Sequence, residues 1–256
     1  MFILVHGAYH GAWCWQPVIE RLQAMGQSAH APNLPGHGQI DTWIGDQNMT
    51  NYVEAVVSAI DNADQPIDLV GHSMAGAVVA AAAEKRPDAL KKLIFLSAYI
   101  PANGETLRDS VRSDPASLVQ AEQVDVGGIA SIMLKTGTLA EAFYSDATPE
   151  QLAWAEDRVQ LQSTEPFFSP ITLSERHFGR VSKAAIICMQ DKAISPSHQR
   201  WMAERAGCAS IVTMDTGHSA FATAPDMLAD VLIQLSRDAE IQQDGTAFKR
   251  GNPEHR

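Results

Sequence analysis

The stretch Gly71-His72-Ser73-Met74-Ala75-Gly76 decides how this chain folds. It follows the apolar run 67–70 and precedes an Ala- and Val-rich run that is helical in pattern and ends at Arg86. A serine between small residues on a sharp strand-to-helix turn is typical of a nucleophile elbow, in which the hydroxyl stands above the edge of a sheet. The usual second glycine is here Ala75, and Gly76 follows one place later. An ordinary turn with a capping serine is the alternative interpretation.

Strand and helix patterns alternate on both sides of this turn. Continuous apolar runs are expected for strands buried on both faces, and their alternation with helical stretches indicates a parallel sheet covered by helices. We therefore predict an α/β fold, with a mostly parallel sheet of about six strands flanked by helices. The predicted strands are residues 2–5, 28–32, 68–70, 90–98, 184–189 and 210–214, and the predicted helices are residues 15–25, 50–62 and 227–237.

The alternation stops between residues 101 and 180. This segment has no strong buried strand and shows helical patches at residues 115–123, 128–135 and 149–162. Its place in the chain suits an inserted helical cap, which excludes water and shapes a pocket. We therefore predict a core formed by residues 1–100 and 181–237 and a cap formed by residues 101–180. The polar tail, residues 238–256, is expected to be disordered.

Ser73 needs two partners before its hydroxyl attacks a carbonyl, a neutral imidazole that takes its proton and a carboxylate that holds the imidazole. His218 is the best base, because it lies in a Gly-His turn just after the last predicted strand. Asp191 is the best carboxylate, because it follows the preceding strand at the edge where sites of parallel sheets are built. Asp215 remains a competitor, since it is close to His218 in the chain. The predicted catalytic residues are therefore Ser73, His218 and Asp191.

Acyl transfer also needs two backbone N–H groups that hold the developing oxyanion. The residue after the nucleophile, Met74, supplies one of them in the elbow arrangement. The loop after the first strand supplies the other, and Ala8 is best placed there. Gly7 permits a close backbone approach at this point. A plain strand-to-helix turn is the alternative interpretation of this loop.

Composition excludes several classes of protein. A chain of 256 residues with 45% hydrophobic content can bury a substantial core as a single domain. Its net charge of -11 argues against nucleic acid and anionic membranes as partners. No signal peptide or bilayer-spanning run is evident. The cysteines Cys14, Cys188 and Cys208 have neither disulfide-framework nor metal-ligand spacing, so free thiols and a cytoplasmic location are expected.

Three segments resemble the plant methylesterase and hydroxynitrile lyase family of α/β-hydrolases. They are the opening Val5-His6-Gly7-Ala8-Tyr9-His10-Gly11-Ala12-Trp13-Cys14-Trp15, the segment Asp191-Lys192-Ala193-Ile194 and the pair Gly217-His218. The elbow resembles the family too, and these motifs follow one another along the chain in the same order as in the family. The similarity spans residues 2 to 235 and is weakest in the cap. The resemblance implies Ser73, Asp191 and His218 as the catalytic triad and Ala8 and Met74 as the oxyanion donors. It also implies a compact cap, no cofactor or metal ion, and a homodimer.

Four positions favour ester hydrolysis over cyanohydrin cleavage within this family. One group of lyases has Thr, Glu and Lys where this chain has Ala8, His72 and Ser219. The other group has Asn in place of Gly7, whereas glycine leaves the oxyanion hole clear for an ester carbonyl. We therefore predict a serine carboxylic ester hydrolase that acts on small aryl or alkyl esters, including methyl esters, through an acyl-enzyme.

Three alternatives to this esterase remain open. A hydroxynitrile lyase would use the same triad, a cofactor-free dioxygenase or C–C hydrolase would use the same scaffold, and a ligand-binding relative would not turn over at all. The cap aromatics either line a substrate pocket or pack the cap's own core. The pocket is predicted to comprise Gly7, Tyr9, His72, Tyr99, Phe143, Trp154, Phe167 and Phe168.

Overall fold

The strands of the protein form two separate sheets. A computed structural model describes residues 1–38 and 43–247 of the chain. In the larger, six-stranded sheet the order is β2-β1-β3-β4-β8-β9, and every neighbouring pair is parallel. In chain order the strands are β1 (Phe2–Val5), β2 (Ala29–His30), β3 (Ile67–Ser73), β4 (Leu90–Ala98), β5 (Ala121–Val126), β6 (Ile129–Leu134), β7 (Gln162–Ser163), β8 (Lys183–Cys188) and β9 (Ser210–Met214).

Burial explains why apolar runs predicted these strands. Every residue of β1, β3 and β8 is buried, because helices cover both faces of the parallel sheet. The helices are α1 (Gln16–Ala24), α2 (Met49–Asp61), α3 (Ala75–Lys85), α4 (Leu107–Arg112), α5 (Pro149–Glu156), α6 (Glu165–Phe168), α7 (Pro196–Arg205), α8 (Ala220–Thr223) and α9 (Pro225–Ala247). The predicted six-stranded α/β architecture is therefore confirmed.

The segment between residues 101 and 180 differs in part from the prediction. Two of its patches predicted as helices, 115–123 and 128–135, instead contribute β5 and β6 of the three-stranded antiparallel sheet β5-β6-β7. Their turn is formed by Gly127 and Gly128, at φ of 61° and 89°. Both values lie in the left-handed region that glycine adopts without strain. The patch predicted at 149–162 begins as a helix, which ends at Glu156. The division into core and cap stays a prediction.

Helix α9 extends beyond the predicted boundary of the core. Residues 238–247 of the tail expected to be disordered belong to this helix. The rest of that predicted tail, residues 248–256, lies outside the described residues. The three cysteines are free, as their spacing predicted. Among the described residues, no helix is long and apolar enough to cross a membrane.

Candidate active site

The turn after β3 holds Ser73 in a strained conformation. Ser73 is the last residue of this strand and has a φ of 55°, and α3 begins two residues later at Ala75. Non-glycine residues occupy this left-handed region at a cost, and such strain concentrates at functional sites. The backbone carbonyl of Ser73 accepts a hydrogen bond from the Tyr99 N–H at 3.1 Å, which ties the turn to the end of β4.

Close packing explains the two glycines that flank this turn. A Cβ atom at Gly71 would lie 2.5 Å from Cγ2 of Val79. A Cβ atom at Gly76 would lie 2.2 Å from the carbonyl oxygen of Tyr99. The first turn of α3 therefore contacts the backbone after β4 at Gly76, so the second glycine of the motif is required there. Position 75 tolerates an alanine, which is fully buried.

His218 and Asp191 form a buried pair at the ends of two neighbouring strands. The Nδ1–H group of His218 donates to Oδ2 of Asp191 at 2.8 Å, and both side chains are fully buried. The other carboxylate oxygen, Oδ1, accepts from the backbone N–H groups of Ala193 at 2.7 Å and Ile194 at 2.9 Å. Among the described residues, the buried Nε2 atom of His218 has no hydrogen-bond partner. This pair therefore presents a ring nitrogen that is free to exchange a proton.

Asp215, the other candidate for the carboxylate that orients His218, lies on the surface of the protein. Its side chain is exposed, and Oδ1 accepts a hydrogen bond from Nε2 of Gln190 at 2.8 Å. The turn that carries His218 is fixed instead by Asp146, whose Oδ2 accepts from the Gly217 N–H at 2.7 Å. Proximity in the chain therefore does not bring Asp215 to the imidazole.

Two residues that the sequence analysis did not single out also contact Asp191. The Ser97 hydroxyl donates to Oδ2 of Asp191 and lies 3.1 Å from Nδ1 of His218. Gln199, on α7, donates to the same carboxylate oxygen at 2.8 Å and to the Ile194 carbonyl at 2.7 Å. Ser97 is a polar residue at the carboxyl end of a buried parallel strand, and this signal was available in the sequence. Nothing in the helical pattern around Gln199 marked it.

His72 packs behind the pair and does not line the cavity that contains Ser73. Its Nε2–H group donates to the backbone carbonyl of His218 at 3.0 Å, and the centroids of the two rings lie 4.6 Å apart. His72 was predicted to line the pocket, but it is buried against His218 and is not part of the cavity wall. Gly7, also predicted for the pocket, is not part of the cavity wall, and a Cβ atom there would be 2.9 Å from Cβ of Ser73.

A cavity of about 440 Å³ opens above Ser73. Four of the predicted pocket residues contribute to its wall, together with both predicted oxyanion residues, Ala8 and Met74. Trp154 does not, because it packs edge-on against Trp13. Phe168 does not either, because it is 53% exposed and lies beneath the Arg108 guanidinium. The wall is formed by Ala8, Tyr9, Ser73, Met74, Tyr99, Val111, Arg112, Asp114, Ser117, Val119, Ala121, Ile132, Phe143, Phe167, Ala193 and Ile194.

Comparison with known families decides the family of this chain. The model of the alpha/beta hydrolase family matches residues 2–231 of the chain. The chain belongs to this family. A pyrethroid hydrolase from Sphingobium wenxiniae is 31% identical over 97% of this chain and 91% of its own. Methylesterase 2 from Arabidopsis thaliana is 28% identical over 92% of this chain and 95% of its own.

A solved structure supports the same assignment. The crystal structure of a pyrethroid hydrolase from Sphingobium faniae has a TM-score of 0.81 and 28% sequence identity, and the match covers 92% of this chain and 96% of that one. Relatives of this alpha/beta hydrolase are therefore esterases and hydrolases. Among its described residues, no group of three or more His, Cys, Asp or Glu side chains is arranged to hold a metal ion.

Buried neutral histidines surround the loop that leads to Ala8 in this alpha/beta hydrolase. Burial lowers the pKa of His10 and of His37 to about 4. Burial likewise holds the pKa of His6 well below its ordinary value. In His10 the Nδ1–H group donates to the Ala8 carbonyl at 2.8 Å, and Nε2 lies 3.0 Å from the Tyr144 hydroxyl. A second proton on this ring would make Nε2 a donor, so the Tyr144 hydroxyl would have to accept from Nε2 instead of donating to it.

These histidines make the folded protein sensitive to acid. The unfolded chain binds protons at His10 and His37 as the pH falls below about 6.5, whereas the folded protein does not bind them until about pH 4. The free energy of unfolding therefore carries the full contribution of these neutral side chains above about pH 6.5. It falls between about pH 6.5 and pH 4, by about 3 kcal/mol for each of the two histidines. Urea unfolding at several pH values between 7.5 and 4.5 measures the decline in the free energy of unfolding.

The matched control for this prediction replaces an exposed histidine. His37→Asn is expected to flatten the dependence of the unfolding free energy on pH, and His30→Asn, at an exposed position, is measured in parallel as the control. An equal slope in the wild type and in His37→Asn would contradict the prediction.

Proposed function

We propose that this alpha/beta hydrolase is a serine carboxylic ester hydrolase. The observation that carries the proposal is the strained elbow at Ser73, which lines a cavity, together with the buried pair of His218 and Asp191 at the ends of β9 and β8. In this proposal Ser73 is the nucleophile, His218 the general base and Asp191 the group that orients the imidazole. The esterase names of the relatives support the same class of reaction.

The proposed reaction proceeds through an acyl-enzyme. Ser73 Oγ attacks the ester carbonyl carbon while Nε2 of His218 takes its proton. The backbone N–H groups of Ala8 and Met74 hold the oxyanion of the tetrahedral intermediate. Collapse of that intermediate breaks the ester C–O bond, and the leaving alcohol receives the proton from His218. Water, deprotonated by His218, then attacks the acyl group, and the carboxylic acid leaves as Ser73 regains its proton.

The cavity supports small aryl or alkyl esters, including methyl esters, as the substrate class. A volume of about 440 Å³ is at the lower end of the range for small-molecule sites. Phe143 and Phe167, with aliphatic neighbours such as Ile132, line the wall and suit an apolar acyl or aryl group. The rings of Phe143 and His218 pack edge to face at a centroid distance of 5.1 Å, so the proposed base packs against a ring of the cavity wall.

Covalent labelling tests the proposal directly. A fluorophosphonate probe should modify one serine, Ser73, because only an activated hydroxyl displaces fluoride from phosphorus at a useful rate. Peptide mass spectrometry locates the label, and hydrolysis of 4-nitrophenyl acetate and butyrate measures the turnover that labelling should abolish. His218→Gln is the control and should be labelled far more slowly.

Two results would overturn the esterase proposal. The first is a folded protein that hydrolyses none of these esters or methyl esters of aromatic acids. The second is a fully labelled Ser73 in a protein that still turns over at the original rate.

A further inference from the structure

A bulge in β4 lies directly opposite the elbow. The register between β3 and β4 passes from His72 paired with Leu96 to Ser73 paired with Ala98, so Ser97 is the extra residue. Its φ is 43°, in the left-handed region. Bulges of this kind redirect a side chain and are common beside active sites. The described non-glycine residues with positive φ are Tyr9, Ser73 and Ser97, and the first two line the cavity.

The redirected side chain reaches both members of the buried pair. Ser97 is 1% exposed, and its hydroxyl donates to Oδ2 of Asp191. The same oxygen atom lies 3.1 Å from Nδ1 of His218. Since the hydroxyl proton is directed at the carboxylate, a lone pair remains to face the Nδ1–H group. Ser97 is therefore in hydrogen-bond contact with both side chains at once.

We propose that Ser97 is a positioning residue, whose hydroxyl fixes the angle between the His218 ring and the Asp191 carboxylate. This inference rests on the proposed function, because it assigns the catalytic benefit to the orientation of the general base. Within the pair, Gln199 donates to the carboxylate of Asp191, and His72 donates to the backbone carbonyl of His218 and packs against its ring, whereas the Ser97 hydroxyl meets both polar side chains. The hydroxyl of Ser97 touches neither the cavity wall nor the proposed nucleophile, so its effect is on the chemical step and not on substrate binding.

Two substitutions separate the hydroxyl from the backbone strain. Ser97→Ala removes the hydroxyl and keeps a Cβ atom at positive φ. Ser97→Gly also removes the hydroxyl, but adopts this φ freely. For 4-nitrophenyl butyrate we expect both variants to lose kcat by about ten- to hundredfold, the usual cost of a hydrogen bond to a charged group, with KM within about twofold of the wild type.

A spectroscopic signature tests the same contact without turnover. The Nδ1 proton of His218 should give a downfield proton resonance in the wild type, assigned by its loss in His218→Gln. We expect this resonance to shift or broaden in both Ser97 variants, because the proton loses one of its two acceptors. Circular dichroism and thermal unfolding verify that the variants are folded.

The outcomes distinguish this inference from the proposed function. If the wild type shows no turnover that depends on Ser73, the proposed function fails, and the resonance alone decides the role of Ser97. If the wild type turns over and either variant retains its kcat, the positioning role is overturned. An unchanged resonance in both variants would overturn it as well. Failure of both variants to fold would assign the hydroxyl to the fold and would also overturn the inference.

Discussion

Ser73→Ala is expected to lower kcat/KM for 4-nitrophenyl butyrate by about 10⁴-fold or more, as removal of a triad nucleophile does in serine hydrolases. Without Oγ the proposed acyl-enzyme cannot form, and only oxyanion stabilisation and binding remain. The substitution leaves the cavity in place, because alanine keeps the Cβ atom of Ser73 at the same φ of 55°. Initial rates of the purified variant, with the wild type measured in parallel, give the loss.

The control for this variant is a serine outside the cavity. Ser110 is buried, and its hydroxyl has no hydrogen-bond partner among the described residues. Ser110→Ala therefore removes a chemically equivalent group and is expected to keep wild-type turnover. Comparable activity in Ser73→Ala and Ser110→Ala would exclude Ser73 as the nucleophile.

The parallel sheet was predictable because the residues of its central strands are mostly buried, and such strands form apolar runs. The predicted boundaries of 2–5 and 90–98 coincide with β1 and β4, and those of 210–214 coincide with the half-buried edge strand β9. The elbow strand was predicted too short, at 68–70. Its last residues, Gly71, His72 and Ser73, are polar or small and have no β propensity, and the neighbouring strands hold them in the sheet.

The small sheet β5-β6-β7 was missed because its two long strands, β5 and β6, are largely exposed or half-buried. The residues of β5 are exposed or half-buried, so no apolar run marks the strand. A better signal was present, since Gly127-Gly128 between Val126 and Ile129 is typical of a two-residue hairpin turn. Composition alone does not place the aromatic side chains of residues 101–180 either. Trp154 and Phe168 point away from the cavity as a result of packing that the sequence pattern does not reveal.

Asp191→Asn is expected to lower kcat by about 10⁴-fold, as the equivalent change does in a Ser-His-Asp protease. Oδ2 of Asp191 accepts hydrogen bonds from Ser97, His218 and Gln199. An amide NH₂ in its place donates, which drives His218 into the tautomer with the proton on Nε2. That nitrogen then has no lone pair to accept the Ser73 proton. In the alternative orientation of the amide, its NH₂ group faces the backbone N–H groups of Ala193 and Ile194. Since these groups also donate, that orientation loses both of their hydrogen bonds.

Asp215→Asn is the matched control, since it makes the same chemical change at an exposed carboxylate that follows β9, the strand next to β8. Asp215 is exposed and interacts with Gln190, so its amide variant should keep kcat within about twofold of the wild type. The two variants are compared in kcat and KM on 4-nitrophenyl butyrate, with thermal unfolding as the check of the fold. A large loss in Asp215→Asn with an active Asp191→Asn would reassign the carboxylate that orients His218. Activity in both would show that the base needs no carboxylate, and the Asp191–His218 pair would then lose its proposed role.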